Sequence, residues 1–169
     1  ALQEVEQSKC LGHLLRNVSE VVDAKQGPAK RFGTVLKEVL VQGHQLWQDY
    51  KEGKVAELTA PAQQVGERLK KHLRHRRLRD PDNQRLLDGI GLQNDRGRVF
   101  RFLVKPEVEP TNNRAERILR PAVIARKVSH CSKTKRGAHA HAAFQSVLQT
   151  AKKVGTSFSQ SILQLTGLQ

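Results

Sequence analysis

The chain has 169 residues with 30 Lys and Arg against 16 Asp and Glu, and this formal net charge of +14 predicts attraction to a polyanion, nucleic acid first, over the blander reading of solvated helix faces. At 37% hydrophobic and 4% aromatic it suits one ordinary domain with a lean core, and its apolar runs fall far short of the roughly twenty residues that cross a bilayer, which excludes a membrane-spanning helix. No secretory apolar region is present, the two cysteines Cys10 and Cys131 fit reduced thiols in a cytoplasmic chain better than a disulfide scaffold, and with no Met at all the sequence reads as a piece of a longer protein.

Residues 1–9 are polar and read either as the tail of a β-strand or as a frayed leader. From Cys10 the positions Leu11, Leu14, Leu15, Val18 and Val22 predict a helix that Gln26-Gly27-Pro28 stops. A longer helix follows, with Phe32, Val35, Leu36, Val39, Leu40, Gly43, Leu46, Trp47 and Tyr50 on one face, ending near Lys51-Glu52-Gly53. A third is predicted from Ala60 to Arg79, with Pro61 in its first turn and Val65, Leu69 and Leu73 inward. Its second half, RLKKHLRHRRLRD, is the densest basic run in the chain, suited to a phosphate backbone or to solvent, and without aromatics for base stacking. Asp80-Pro81 predicts an N-cap and a first helical residue for a short helix through Leu86, Leu87 and Ile90, which Gly89 and Gly91 weaken at its end. A further short helix is expected over Arg96–Val104.

The stretch from Glu107 to Ser129 combines turn chemistry, a carboxylate and a basic face. Pro110 favours an extended Glu109, and Thr111, Asn112 and Asn113 can accept from the free N–H groups of a helix starting near Asn113. On that helix Ala115, Ile118, Leu119, Ala122 and Val123 share a face expected to be buried, while Asn112, Glu116 and Arg120 follow at four-residue steps beside it. By spacing alone, Asn113-x-x-Glu116 is a capping box and Glu116 with Arg120 a helix-surface ion pair. Beyond Ser129, HCSKTKRG reads as a basic loop. Ala140, Phe144, Val147, Leu148 and Ala151 then mark a helix closed by Gly155, and Ser157 caps a last one carrying Phe158, Ile162 and Leu165. No strand alternation or repeat is visible.

The run EPTNNRAERILRPAVIARKVS resembles the C-terminal signature of the insertion sequence 66 family of bacterial DDE transposases. Cys10-Leu11-Gly12-His13-Leu14-Leu15-Arg16 resembles the C-x-A-H-x-x-R stretch of that family, and GAHAHAAFQSVLQTAKKVG, from Gly137 to Gly155, its closing helix. The resemblance implies that Glu116 is the third metal-binding acid. It also implies DNA strand cleavage and transfer by three carboxylates holding two Mg²⁺ ions about 3.5–4 Å apart. The two upstream aspartates of the family are missing, since Asp23, Asp49, Asp80, Asp82, Asp88 and Asp95 stand in helical or turn contexts that do not match them.

The fold implied is mainly α: a leading segment and helical insertion over 1–105, then over 106–169 the C-terminal helices of an RNase H-like catalytic domain whose sheet is largely absent. With one acid of three, the chain alone is expected not to catalyse, and its own binding of Mg²⁺ is doubtful on ligand count. Asn112, Asn113, Arg114, Arg117, Arg120, Arg126 and Lys127 are the candidate DNA contacts, with Cys10, His13 and Arg16 a structural motif. The implied partners are transposon-end and target DNA and, in the intact enzyme, further copies of itself, in the bacterial cytoplasm.

Zinc held by Cys10, His13, His130 and Cys131 is the weaker reading of that motif, because adjacent His-Cys is not a usual ligand spacing. His72, His75, His139 and His141 read as surface histidines, and no Ser or Cys nucleophile has a triad around it. Two other classes stay open beside the transposase fragment: a non-catalytic basic helical DNA-binding module with Glu116 as a cap, and a remnant without function.

Overall fold

The computed structural model describes residues 7–74, 76–128 and 134–167. The described residues form eight helices and no strand, and the chain divides between Asn112 and Asn113 into two compact units. The expectation of a strand or leader at the N-terminus lies outside the described residues except for 7–9, which are irregular.

The first unit is built on its longest helix. α1 (Leu11–Asp23) and α3 (Thr59–His72) pack on α2 (Gly27–Lys51), α4 (Pro81–Asp95) packs on α1 and α2, and the single turn α5 (Arg101–Val104) packs on α2 and α3. The apolar positions meant for the core reach it: Leu11, Val18, Leu36, Val39, Leu40 and Leu69 are buried together with Val99 and Phe102. Gly43 shows why α2 carries a glycine on its inward face, because a Cβ there would collide with the ring of Phe100. Gly27-Pro28 opens α2 and α1 stops earlier, at Asp23, so the pair acts as a starter, with Pro tolerated in the first turn. Lys25, in the α1–α2 connection, bridges Asp80 at 2.8 Å and Asp82 at 2.7 Å. Its ammonium pKa is raised and that of the Asp80 carboxyl lowered, in each case first by their mutual hydrogen bond. Buried Asn83 donates from Nδ2 to the Ala29 carbonyl at 2.7 Å, so the start of α4 is fastened to the start of α2.

Three helix expectations in this unit need correction. α3 ends at His72 rather than Arg79, and the basic run leaves the helix halfway along. Like charges four apart, Lys70 and Arg74, oppose continuation, and His72 is drawn inward instead. Its ring stacks on Phe32 at 4.7 Å, with Nε2 2.9 Å from the Phe32 carbonyl oxygen. His72 is therefore half-buried, not a surface histidine, and burial lowers its pKa. His139 is exposed, His141 is half-buried, and His75 lies outside the described residues. Over Arg96–Val104 only the last four residues are helical: Gly97, at φ 64°, makes a turn in which Gly97 and Arg98 donate back to Asn94 and Gln93. α4 in turn runs through Gly89 and Gly91 to Asp95, longer than expected, and Asp80 caps it by accepting from the Asn83 N–H at 2.9 Å.

The second unit holds α6 (Asn113–Val128), α7 (Lys135–Val154) and α8 (Phe158–Thr166). α7 packs on α8 through Phe144 and Phe158, whose ring centroids lie 4.7 Å apart, and Ala151 is the one buried residue of this unit among those described. α7 begins earlier than Ala140 because Thr134 caps it, accepting from the Gly137 N–H at 3.1 Å; the second half of the expected loop is its first turn, and 130–133 lie outside the described residues. Gly155, at φ 71°, closes α7 in the left-handed conformation that a Cβ disfavours, and Ser157 with Gln160 forms a capping box on α8.

Candidate functional site

The first unit holds the approach to α6 by its backbone. Trp47 donates from Nε1 to the Pro106 carbonyl at 3.1 Å, and the Leu11 N–H donates to the Pro110 carbonyl at 2.8 Å. Pro110 is buried, and Gly12 leaves its neighbourhood to Cys10 and Thr111, whose Sγ and Cγ2 lie 3.7 and 3.8 Å from where its Cβ would be. The start of the Cys10-x-x-His13 stretch and the residues just before Asn112 are thus joined across a hundred positions of sequence. Cys10 is a free, half-buried thiol that makes no side-chain cap bond to α1, while His13 and Arg16 are exposed one turn apart.

Asn113 opens α6 as its sequence predicts, and Glu116 lies in the first turn, where the unpaired N–H groups of a helix start favour a negative charge. Helical geometry puts Asn113, Glu116, Arg117, Arg120 and Lys127 along one side, while Arg114 and Arg126 point elsewhere. All of these are exposed, as is Asn112, the last residue of the first unit. The neighbouring apolar face departs from expectation: none of α6 is buried, and Ile118, Leu119 and Val123 are exposed, since periodicity identifies a side and not a cover for it. Pro121 lies inside this helix and removes one backbone donor.

A signal the motif reading passes over is in the charge balance. From Asn113 onward the sequence has ten Lys and Arg and a single acid, Glu116, whereas the 112 residues before it have twenty against fifteen. Most of the net charge belongs to the smaller unit, and its one carboxylate sits among arginines. Counting acids after Asn112 is enough to find this.

The described residues contain no group of three or more His, Cys, Asp or Glu able to hold a metal ion. Mg²⁺ keeps near-octahedral oxygen coordination and gives up water reluctantly, so Glu116 can be one ligand and not a site. For zinc, His130 and Cys131 lie outside the described residues. No helix among the described residues is long and apolar enough to cross a membrane.

A family model described as Transposase IS66 family matches residues 1–140, from the start of the given sequence through α6 into α7. No curated protein and no solved structure matches the chain.

Proposed function

The chain belongs to the transposase IS66 family, and from that premise we propose that it is a fragment of a DDE transposase that supplies one of three metal-binding acids, Glu116, to DNA strand cleavage and transfer. The observation that carries this reading is the family match running through α6, where Glu116 is the single acid of its unit. The proposed organisation is a leading segment and helical insertion over 1–105, followed over 106–169 by the C-terminal helices of an RNase H-like catalytic domain. Asn112, Asn113, Arg114, Arg117, Arg120, Arg126 and Lys127 contact DNA in this reading, and Cys10, His13 and Arg16 are a structural motif. Transposon ends and target DNA are the partners, in the bacterial cytoplasm, with further copies of the transposase in the intact assembly.

In this reading Glu116 is one ligand of three, and two more carboxylates from elsewhere in the transposase are required before two divalent ions can be held. A second reading, a non-catalytic basic helical DNA-binding module, is favoured by the ten-to-one charge of the second unit, for which Glu116 is only a helix-start carboxylate.

One substitution separates the two. In a protein extended to carry the upstream acids, Glu116→Gln keeps the size and hydrogen-bonding reach of the side chain and loses the charge the ions require. Mg²⁺-dependent cleavage of a transposon-end duplex is expected to vanish with the helical circular dichroism unchanged. Cleavage persisting in the Gln variant removes the catalytic assignment and leaves the binding module.

A further inference from the structure

We propose that Lys70, Lys71, Arg74, Arg76, Arg77 and Arg79 of the first unit form a second contact surface for the phosphate backbone of duplex DNA, made of other residues than those of α6 and independent of any role of Glu116.

The first support is how this unit treats its cations elsewhere. Lys25 pairs with Asp80 and Asp82, Lys54 with Glu52, Arg68 with Glu38 and Arg85 with Asp82. Among the described residues none of the six is in an ion pair, although they fall within ten positions of sequence and all are exposed. Like charge gathered in this way without compensation opposes the compact state and is relieved by an external polyanion.

The second support is that the chain carrying them is anchored. α3 stops at His72, whose ring is held on Phe32, and Leu73 is buried in the core. The Leu78 N–H donates to Gln84 Oε1 at 2.6 Å, and Leu78 packs against the core. Arg76 donates from Nη2 to the His72 carbonyl and lies 5.5 Å over the Phe32 ring. Cations carried on a fixed backbone lose less freedom on binding than cations on a free tail.

The third support is shape. Lys70, Arg74 and Arg76 line one wall of a cleft of about 580 Å³, opposite Gly91 and Leu92 of α4. Asp88 and Asp95 share that cleft, and Asp88 accepts from Gln84 Nε2. These carboxylates repel a phosphate from the α4 wall, so a backbone runs along the α3 side and the open rim.

The chemistry selects the partner. Four of the six are arginines, whose planar forks bind phosphate oxygens in pairs. The run between Lys70 and Arg79 has no Phe, Tyr or Trp on which a base could stack, so the contact reads backbone and not sequence. It is not an amphipathic helix with an apolar face to sink into lipid, which sets a membrane surface aside.

The test uses the full chain and a short labelled duplex of arbitrary sequence, with anisotropy read across a salt series. Replacing Lys70, Lys71, Arg74, Arg77 and Arg79 by Gln leaves Arg76 on Phe32. It is expected to flatten the slope of log affinity against log salt by about three or more and to weaken binding at least about tenfold. A charge-matched variant, with Gln at Lys30, Arg31, Lys37, Lys51 and Arg96, is expected to change binding less than about threefold. Equal losses from both variants mean a diffuse field and overturn the proposal. So does an unchanged slope, or a loss confined to binding of phosphatidylserine vesicles. If the fivefold variant does not fold by circular dichroism, the pairs Lys70→Gln/Lys71→Gln and Arg77→Gln/Arg79→Gln decide, each expected to flatten the slope by about two. None of these variants touches Glu116, so their failure leaves the transposase reading standing.

Discussion

The two units carry out opposite tasks with the same residue types. In the first, leucines and valines spaced for one face meet partners on other helices, and Leu36, Val39, Leu40 and Phe102 are fully enclosed. In the second, the same spacing on α6 leaves Leu119 60% and Val128 75% exposed, and among the described residues only Ala151 is buried. Charge follows the division, nearly balanced before Asn113 and ten to one after it. The first unit is organised by its core. The helices of the second are organised by local devices, Thr134, Gly155 and the Ser157–Gln160 box, together with the Phe144–Phe158 contact. An element that needs no core of its own can keep both a basic side and an apolar side exposed.

The sharpest way to break this comparison is to cut matched leucines from each unit. Leu36→Ala, at a fully buried position, is expected to cost about 2–5 kcal/mol, read from denaturant unfolding followed by Trp47 fluorescence. Leu119→Ala is expected to stay within about 0.5 kcal/mol, followed by circular dichroism. If Leu119→Ala proves as costly as Leu36→Ala, the apolar face of α6 is covered in solution and the contrast between the units fails.

Much of the first unit is legible in the sequence because its signals are local and agree with one another. Leu11, Val18 and Val22 on one helix and Phe32 to Gly43 on the next announce their faces, and Asp80-Pro81 announces a helix start. The end of α3 is not legible, because it depends on His72 finding Phe32, forty residues earlier, and on the repulsion of neighbouring cations. The turn over 96–100 is hidden for a similar reason: apolar residues at the right spacing suggest a helix, while Gly97 takes the chain the other way. At the candidate site the start of α6 and the place of Glu116 follow from Asn112-Asn113 and the motif. The Leu11–Pro110 bond that joins the Cys10 stretch to this segment cannot be read from either stretch by itself.

A smaller effect sharpens the comparison through the helix caps. Ser157→Ala removes the acceptor for the Gln160 N–H and half of the capping box, an expected loss of about 1 kcal/mol. In a unit held by local devices that loss stays local. Amide hydrogen exchange is expected to speed up across α8 and to leave α1 to α4 unchanged. Equal acceleration in α1 to α4 would mean that the two units unfold as one body, contrary to the division at Asn113.

The smallest expected effect belongs to His72, and its sign follows from its surroundings. Burial against Phe32 disfavours the imidazolium most; the bond to the Phe32 carbonyl works the other way but is weaker than burial, and the nearby charges of Arg76 and Arg68 add smaller contributions that disfavour it. The folded pKa therefore lies below the ordinary histidine value, while the unfolded chain keeps that ordinary value near 6.5. Above it both states are neutral and the contribution of His72 is complete. As the pH falls below it the unfolded chain takes up a proton that the folded one resists, so stability declines towards acid. The decline concerns the first unit alone and should be read from Trp47 fluorescence between about pH 7 and pH 5. His72→Gln keeps a hydrogen-bond donor for the carbonyl and removes the titration, so its stability is expected to fall less over that range than that of the unsubstituted chain. Parallel declines would show that the folded state tolerates a charged His72, and that the turn ending α3 is not closed over a neutral ring.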